Sequence, residues 1–515
     1  MKKRILKFIT GHKKDLFISA LIFFLYFFFR LFLISDLPIF NDETSYVRWS
    51  QISIETPEKM MSLLLGRGRQ PLFIWTVMFF MRFIDDPFLA GRLVSVVCGA
   101  LTMIGLWFLA FQLFKNKKIA FLTSLIYVFY PFAQVHDRIM LLDSMVSAFL
   151  VWSLYFGIVL VKKVKLDTAY TLGFLLGGGL LTKTNAIFSV YLLPLNILLF
   201  DFSKKRKKQF LKLLIFIIIA IAVSQILTLI MKLNANYRGI LDANGIFVYP
   251  VHDWIKLKPG FIFKNFIENF GLLSSWLFEY LTPAYAILIL ISLVFIKKFP
   301  KEKILLFLYF LTPFVLLSLF GRLLFPRYIL PMTMTLLPLA ALGLFEISKR
   351  VGVLFRKQIA VYLLIALFLI YPAYVSLGFA IDPSGSRIPK ADVQQYTGSL
   401  IKPWTLESVK YFEEKAKKQK IFVAQEGFIG WLPYALEIYL HKNQNIILKN
   451  YDPNLMLDKP PKEVFENAKS IPSYFVLARF EKKLFPESEH IKIVISKKEV
   501  LSGKNYYYTV YEINP

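Results

Sequence analysis

Apolar positions along this chain come in long blocks with few charges inside them, and polar positions collect in the short stretches between. Blocks near 20 residues suit an α-helix that crosses a bilayer, at about 1.5 Å per residue over roughly 30 Å of hydrocarbon. On that pattern about eleven spans are expected, near residues 16–35, 88–113, 118–134, 143–161, 168–182, 185–200, 210–230, 281–297, 302–320, 328–346 and 359–378. Two of them, 168–182 and 185–200, are short and flank Thr182-Lys183-Thr184. The apolar stretch 71–83 is too short to cross, and its crossing would move every later basic loop to the other side. It is therefore read as an interfacial or re-entrant helix.

Beyond residue 381 the period changes. Residues 406–418 and 429–441 carry helical spacing, and 420–424, 445–449, 474–479, 491–496 and 506–513 read as strands. The pattern predicts an α-helical polytopic membrane domain over 1–380 and a small α/β domain over 381–515, joined by a linker near 382–390. Two long loops, 36–87 and 232–280, interrupt the membrane domain, and Pro250 and Pro259 divide the second into short interfacial helices.

Composition agrees: 56% of residues are hydrophobic, against the 45–50% usual in soluble domains, and mean hydropathy is +0.54. The net charge is +28, and the placement of the basic residues sets orientation. Its Lys and Arg residues cluster at 115–118, 162–165, 204–208, 297–303, 349–357 and at the N-terminus, where Lys2, Lys3, Arg4, Lys7, Lys13 and Lys14 stand. With these spans all the clusters fall on one side, expected to be cytoplasmic. The first apolar block ends without a small-residue cleavage site and reads as an uncleaved span, with the N-terminus cytoplasmic. An odd number of crossings then puts the C-terminal domain outside the cytoplasm. No basic face with interleaved aromatics stands outside the apolar blocks, which argues for membrane lipids and against nucleic acid as partners. The single cysteine, Cys98, lies in an apolar block and reads as a packing residue.

Candidate chemistry gathers on the side opposite the basic loops. Asn41-Asp42-Glu43-Thr44-Ser45-Tyr46 places adjacent acids just after the first span, either as a solvated turn or with one carboxylate as a general base. Gly66-Arg67-Gly68-Arg69-Gln70-Pro71 is a cationic loop entering a helix. In His136-Asp137-Arg138-Ile139-Met140-Leu141-Leu142-Asp143, Asp143 is either a helix cap or a functional acid. Lys183 follows a glycine run without nucleotide-loop spacing, and either snorkels or binds an anionic head group. Arg327 and Tyr328, in Phe325-Pro326-Arg327-Tyr328-Ile329-Leu330-Pro331 with Arg322 just before, suit interfacial anchoring or phosphate binding through the planar guanidinium. Asp42, Glu43, Asp137 and His252 are hard ligands compatible with a divalent metal, but no spacing fixes a site, and no cofactor is assigned.

Asp-Glu-Thr-x-Tyr after the first span, Pro-Leu opening a short helix, a later Leu-Asp, Leu-Thr-Lys and Pro-Arg-Tyr-x-x-Pro occur here in that order. In these motifs, over roughly residues 1–380, the chain resembles membrane glycosyltransferases of the protein O-mannosyltransferase and aminoarabinose transferase type, which are glycosyltransferase family 39-like and have the GT-C fold. The resemblance implies transfer of a sugar from a polyprenyl-phosphate donor to an acceptor hydroxyl of a protein, lipid or glycan outside the cytoplasm, with inversion at the anomeric carbon and a single base. It implies Asp42 as the catalytic base beside Glu43, Asp143 as the second acid with Asp137 nearby, and Lys183, Arg327 and Tyr328 near the donor phosphate. Arg138 is a further phosphate candidate, and Tyr46, Arg48 and Arg69 are other candidate site residues. Ser45 stands where some relatives carry a basic residue, which Arg48 would replace, and Arg69-Gln70-Pro71 stands where His- or Lys-Pro-Pro is usual. A transporter or flippase of a lipid-linked sugar is the alternative. Repeat halves and charges at span centres, which would favour it, are missing from the pattern.

Overall fold

The computed structural model describes residues 13–202, 207–397, 401–426, 432–451, 458–480, 484–501 and 504–515. Lys2, Lys3, Arg4, Lys7 and Lys204 to Arg206 of the basic clusters, and the start of the helix expected at 429–441, lie outside the described residues. Contacts divide the chain into two compact units. The first runs over Met1–Ser35 and Thr56–Asp392, the second over Asp36–Glu55 and Val393–Pro515.

In the first unit, eight helices among the described residues are long and apolar enough to cross a membrane: Lys13–Asp36, Pro87–Phe114, Leu142–Lys163, Lys207–Lys232, Pro259–Val294, Pro300–Phe320, Leu330–Phe355 and Gln358–Ile381. The three other expected spans are present as shorter elements. Residues 118–134 form the helix Lys117–Val128, which stops before Pro131 opens a second short helix, Pro131–His136. Proline has no N–H to continue the first helix, so the break falls there. The others are the helix Leu166–Thr182 and the apolar segment Thr184–Leu199. The stretch expected to be interfacial or re-entrant holds a helix of only 9 residues, Leu72–Phe80, about 13 Å long at the α-helical rise.

The long loop 232–280 differs from expectation. The helix Arg238–Phe247 and a turn at Val251–Lys256 are short, but Pro259 opens a single 36-residue helix that runs on into the next span. Pro259 stands in its first turn, where a missing N–H costs nothing. The helix kinks at Thr282 (φ 57, ψ 158), immediately before Pro283.

The basic turns share one end of this unit. Lys117 pairs with Asp15 at 2.7 Å, and Lys162 donates to the Gln112 carbonyl at 3.1 Å. Phe114 meets Phe299 edge-on, and Lys298 pairs with Glu346 at 3.3 Å. The glycine run before Lys183 is a packing device: a Cβ at Gly177 would collide with Leu227, and one at Gly178 with the Phe149 ring. Helix Leu166–Thr182 thereby packs close to the helices on either side.

The second unit contains a five-stranded sheet. Its strands are β1 (Ile421–Glu426), β2 (Ile446–Tyr451), β3 (Ser473–Phe480), β4 (Ile491–Leu501) and β5 (Lys504–Ile513), in the order β2-β1-β3-β5-β4. β1 is parallel to β2 and β3, and β5 is antiparallel to β3 and β4. Side chains of β1 alternate between two cores. Ile421 and Val423 pack with Phe412 and Leu436, from the helices Ile401–Ala416 and Leu432–Leu440, while Phe422 and Ala424 pack with Val464 of Lys462–Ala468. A strand covered on both faces reads as a continuous apolar run, as Ile421-Phe422-Val423-Ala424 does. The helix Asn41–Glu55, which follows the first span in sequence, belongs to this unit.

Candidate active site

In the first unit, at the end of the helices away from the basic turns, Asp143 and Lys183 meet. Asp143 is the second residue of the helix Leu142–Lys163, whose N-cap is Leu141, and its carboxylate makes no cap. Lys183 Nζ lies 2.6 Å from Asp143 Oδ1, with side-chain exposures of 22% and 2%. The pair forms because Leu166–Thr182 ends where it does: Lys183 is fully extended (φ −161, ψ 146) and leaves the helix axis. A buried acid at this depth needs a cation, and Lys183 supplies it.

Arg327 and Tyr328 come from the short turn Pro326–Tyr328. Lys183 Nζ stands 5.1 Å from the centre of the Tyr328 ring, and the Arg327 guanidinium lies over Phe325 at 5.1 Å. Arg327 acts electrostatically on the Asp143 carboxylate, and Arg69 acts on Lys183. Gln70 Nε2 donates to Thr184 Oγ1 at 2.6 Å, tying the cationic loop to the Thr182-Lys183-Thr184 segment. Burial holds the His136 imidazole down to about 4, so it is neutral near pH 7.

Asp392 was not singled out by its sequence context. Its carboxyl accepts a hydrogen bond from the Tyr280 hydroxyl, and its other oxygen, Oδ1, is buried without a hydrogen-bond partner. Burial pushes the carboxyl up to about 7, against the pull of Tyr280 and Arg327. Tyr280 stacks on Phe132 at 3.9 Å, and Phe132 in turn meets the His136 ring at 5.1 Å. Nothing in the local pattern around residue 392 separates this acid from a solvated one; its hydrogen-bond partner Tyr280 stands 112 positions away.

The neighbouring residues Asp137 and Arg138 turn elsewhere. Asp137 pairs with Arg30 at 3.0 Å and accepts from Tyr127 at 3.0 Å and Ser144 at 2.7 Å. Gly99 makes room for it, since a Cβ there would collide with Asp137 and Tyr26. Arg138 donates to the Phe32 carbonyl, Arg92 to Ile34 and Arg30 to Tyr127 and Val128. The Tyr127 and Val128 carbonyls end the helix Lys117–Val128, and Phe32 directly follows Lys13–Leu31, so Arg30 and Arg138 satisfy groups that a helix leaves open at its C-terminus, while Arg92 holds the turn Ile34–Asp36 beyond it. The charged groups acting on Arg138 are Arg30 and Arg92, not Lys183 or Arg327.

In the second unit, Asp42 and Glu43 lie in the first turn of Asn41–Glu55, where the helix dipole favours acids. Glu43 is fully buried, and its Oε2 accepts the Phe40 N–H at 2.9 Å, closing the helix start. Asp42, one position earlier, is half-buried. Tyr46 is buried edge-on against Trp49 at 5.8 Å. Arg48 Nε lies 3.2 Å from Glu437 Oε2. His252, in the first unit, pairs with its neighbour Asp253 at 3.5 Å. Among the described residues no three His, Cys, Asp or Glu side chains gather as a metal site.

Comparisons with known proteins bear on this arrangement. A family profile described as dolichyl-phosphate-mannose-protein mannosyltransferase matches residues 68–228. No curated protein matches the sequence. The structure is similar to that of ArnT from Cupriavidus metallidurans bound to undecaprenyl phosphate, at 11% identity and TM-score 0.57, covering 97% of this chain and 98% of that one. It is also similar to the oligosaccharyltransferase of Archaeoglobus fulgidus tethered with an acceptor peptide (13% identity, TM-score 0.52, 91% and 69% covered). A third similar structure is the arabinofuranosyltransferase AftD from Mycobacteria (12%, 0.53, 98% and 42%). The chain has the GT-C membrane fold of these proteins.

Proposed function

We propose that this protein is an integral membrane glycosyltransferase that moves a sugar from a polyprenyl-phosphate carrier to an acceptor hydroxyl on the extracytoplasmic face, inverting the anomeric centre. The observation that carries the reading is the Asp143–Lys183 pair with Arg327 and Tyr328 beside it, in a fold shared along its length with a protein bound to undecaprenyl phosphate. The matched family description, a dolichyl-phosphate-mannose enzyme, supports the same donor class.

In this reading Asp42 takes the proton of the acceptor hydroxyl. The oxygen forms a bond to the anomeric carbon from the face opposite the phosphate, and the bond from that carbon to the phosphate oxygen breaks. The leaving polyprenyl phosphate is already an anion, so one base suffices, and cations stabilise the charge that collects on it. Lys183 and Arg327 take that role, with Asp143 holding Lys183 in place. Arg138 is better described as a helix-end donor, and Glu43 as the group that closes the start of the helix carrying Asp42. The acceptor is a protein, lipid or glycan hydroxyl, and the C-terminal domain lies outside the cytoplasm.

The test uses purified wild type and Asp42→Asn with radiolabelled polyprenyl-phosphate sugars and a cell-envelope extract as acceptor source. Label leaving the carrier in wild type, reduced at least about a hundredfold in the variant, is the expected result for loss of a general base. Equal transfer by both removes Asp42 from the mechanism. No transfer from any carrier by folded wild type points instead to movement of the lipid-linked sugar across the bilayer.

A further inference from the structure

The helix that carries Asp42 is built into the same compact unit as the C-terminal domain, although more than 300 residues separate them in sequence. A continuous polar relay runs to it from the ends of two parallel strands. Gln425, at the end of β1, donates to Asn450 Oδ1 at 2.7 Å, and Asn450 Nδ2, near the end of β2, donates to Glu437 Oε1. Glu437 Oε2 then accepts from Arg48 Nε at 3.2 Å. Two further contacts run alongside. Gln51 Nε2 donates to the Ile438 carbonyl at 3.0 Å, and His441 Nε2 lies 2.7 Å from Glu55 Oε1. Near the other end of the helix, Phe40 meets Tyr396 edge-on at 5.0 Å.

These contacts are more than surface ion pairs. Arg48 and Glu437 retain only 13% and 18% exposure, and Glu437 is held from its other side by Asn450. An ion pair fixed by a second partner loses less side-chain entropy on forming and gives direction as well as energy. Asn41–Glu55 is also poorly suited to stand alone. It has 15 residues and includes Thr44, Ser45, Val47, Ser50, Ile52, Ser53 and Ile54, while isolated helices of this length are marginal even for strong helix formers.

We propose that the C-terminal domain is the positioning platform for the Asp42 helix, and that Glu437, through Arg48, is the residue that sets its placement. The proposal rests on the reading of Asp42 as the base. It gives the domain a part in the transfer step itself, whether or not it also binds the acceptor.

The test is a charge exchange read two ways in the full-length protein: hydrogen exchange over residues 41–55, and transfer from polyprenyl-phosphate sugar. Glu437→Arg and Arg48→Glu singly are expected to lose amide protection over 41–55. Each should also lower kcat about tenfold or more, with the donor KM nearly unchanged, as small misplacements of a reacting group do. The double variant, in which the pair is re-formed with reversed sign, is expected to recover most of both, and Glu437→Gln to lie between. Additive losses in the double variant, or singles with wild-type exchange and kcat, would overturn the proposal. The two readouts separate it from the transfer reading. Exchange that follows the swap while wild type transfers nothing retains the platform and removes the glycosyltransferase. Transfer that ignores the swap, while Asp42→Asn abolishes it, does the reverse.

Discussion

Lys183 and Asp143 lie 40 positions apart in sequence and 2.6 Å apart in space, and each answers a need of the other. Without Lys183 the carboxylate is a buried anion; without Asp143, Lys183 and Arg327 face each other as like charges. Asp143→Asn is expected to cost about 1–3 kcal/mol in thermal unfolding, below the 3–5 kcal/mol of a fully buried pair because Lys183 keeps 22% exposure. Lys183→Met should raise the donor KM at least about tenfold, if the lysine binds phosphate in both ground and transition states. Unchanged donor affinity would leave Lys183 as no more than the counter-ion of Asp143. Asp392 adds a pH dependence of known sign. Burial raises its folded carboxyl from the ordinary 3.8 to about 7, so between them the native form holds a proton that the unfolded chain has released. Stability contributed at this position therefore falls as pH rises through that window and levels above it. Unfolding midpoints of wild type and Asp392→Asn should diverge from about pH 4 to pH 7, with the variant the more stable at the upper end. Parallel curves would show that Asp392 ionises as an exposed acid does.

Among the elements, the helix Pro259–Val294 is the one whose continuity the sequence conceals. Pro250 and Pro259 read equally well as breaks among short interfacial helices, but Pro259 opens a long helix. Its kink is also unusual: Thr282 sits at φ 57 and ψ 158, a region taken almost only by glycine, and its hydroxyl is buried without a partner. Tyr280, two residues before, holds Asp392, so the strained point adjoins the candidate site. Thr282→Gly is expected to stabilise the protein by about 1 kcal/mol, raising the unfolding midpoint, since it removes both the strain and the orphaned hydroxyl. A lower midpoint would mean that the threonine methyl packs well enough to outweigh both. The helix Asn41–Glu55 shows the reverse case. Its acids are visible in sequence, but its membership of the C-terminal unit is not, because Arg48, Gln51 and Glu55 find their partners at positions 437, 438 and 441.

Across the whole molecule, the contacts from Asp15 to Lys117 and from Lys298 to Glu346 show the basic turns gathered at one end of the helical unit. If that end faces the cytoplasm, as positive charge favours, single cysteines placed in the turn 115–116 of a Cys98→Ala background should resist a membrane-impermeant maleimide in intact cells. Cysteines placed in the sheet domain at exposed positions such as Lys492 should react. The opposite labelling would reverse the proposed orientation and with it the extracytoplasmic site.

The apolar blocks and the alternation of the C-terminal strands follow from the sequence alone, because bilayer length and strand pleat impose periods that neighbouring residues must obey. All five strands stand where the alternation puts them, and β1 reads as a two-faced strand from four residues. Lys183, Arg327 and Asp143 also stood out, because charge beside an apolar block is costly wherever it occurs. Partnership was not legible. That Asp143 meets Lys183 while Asp137 turns to Arg30 and Arg138 to the Phe32 carbonyl, that Asp392 is buried against Tyr280, and that Glu437 holds Arg48 were decided only in three dimensions. Local sequence sets the cost of burying a charge, but the group that offsets it is supplied by whichever distant segment the packing brings alongside.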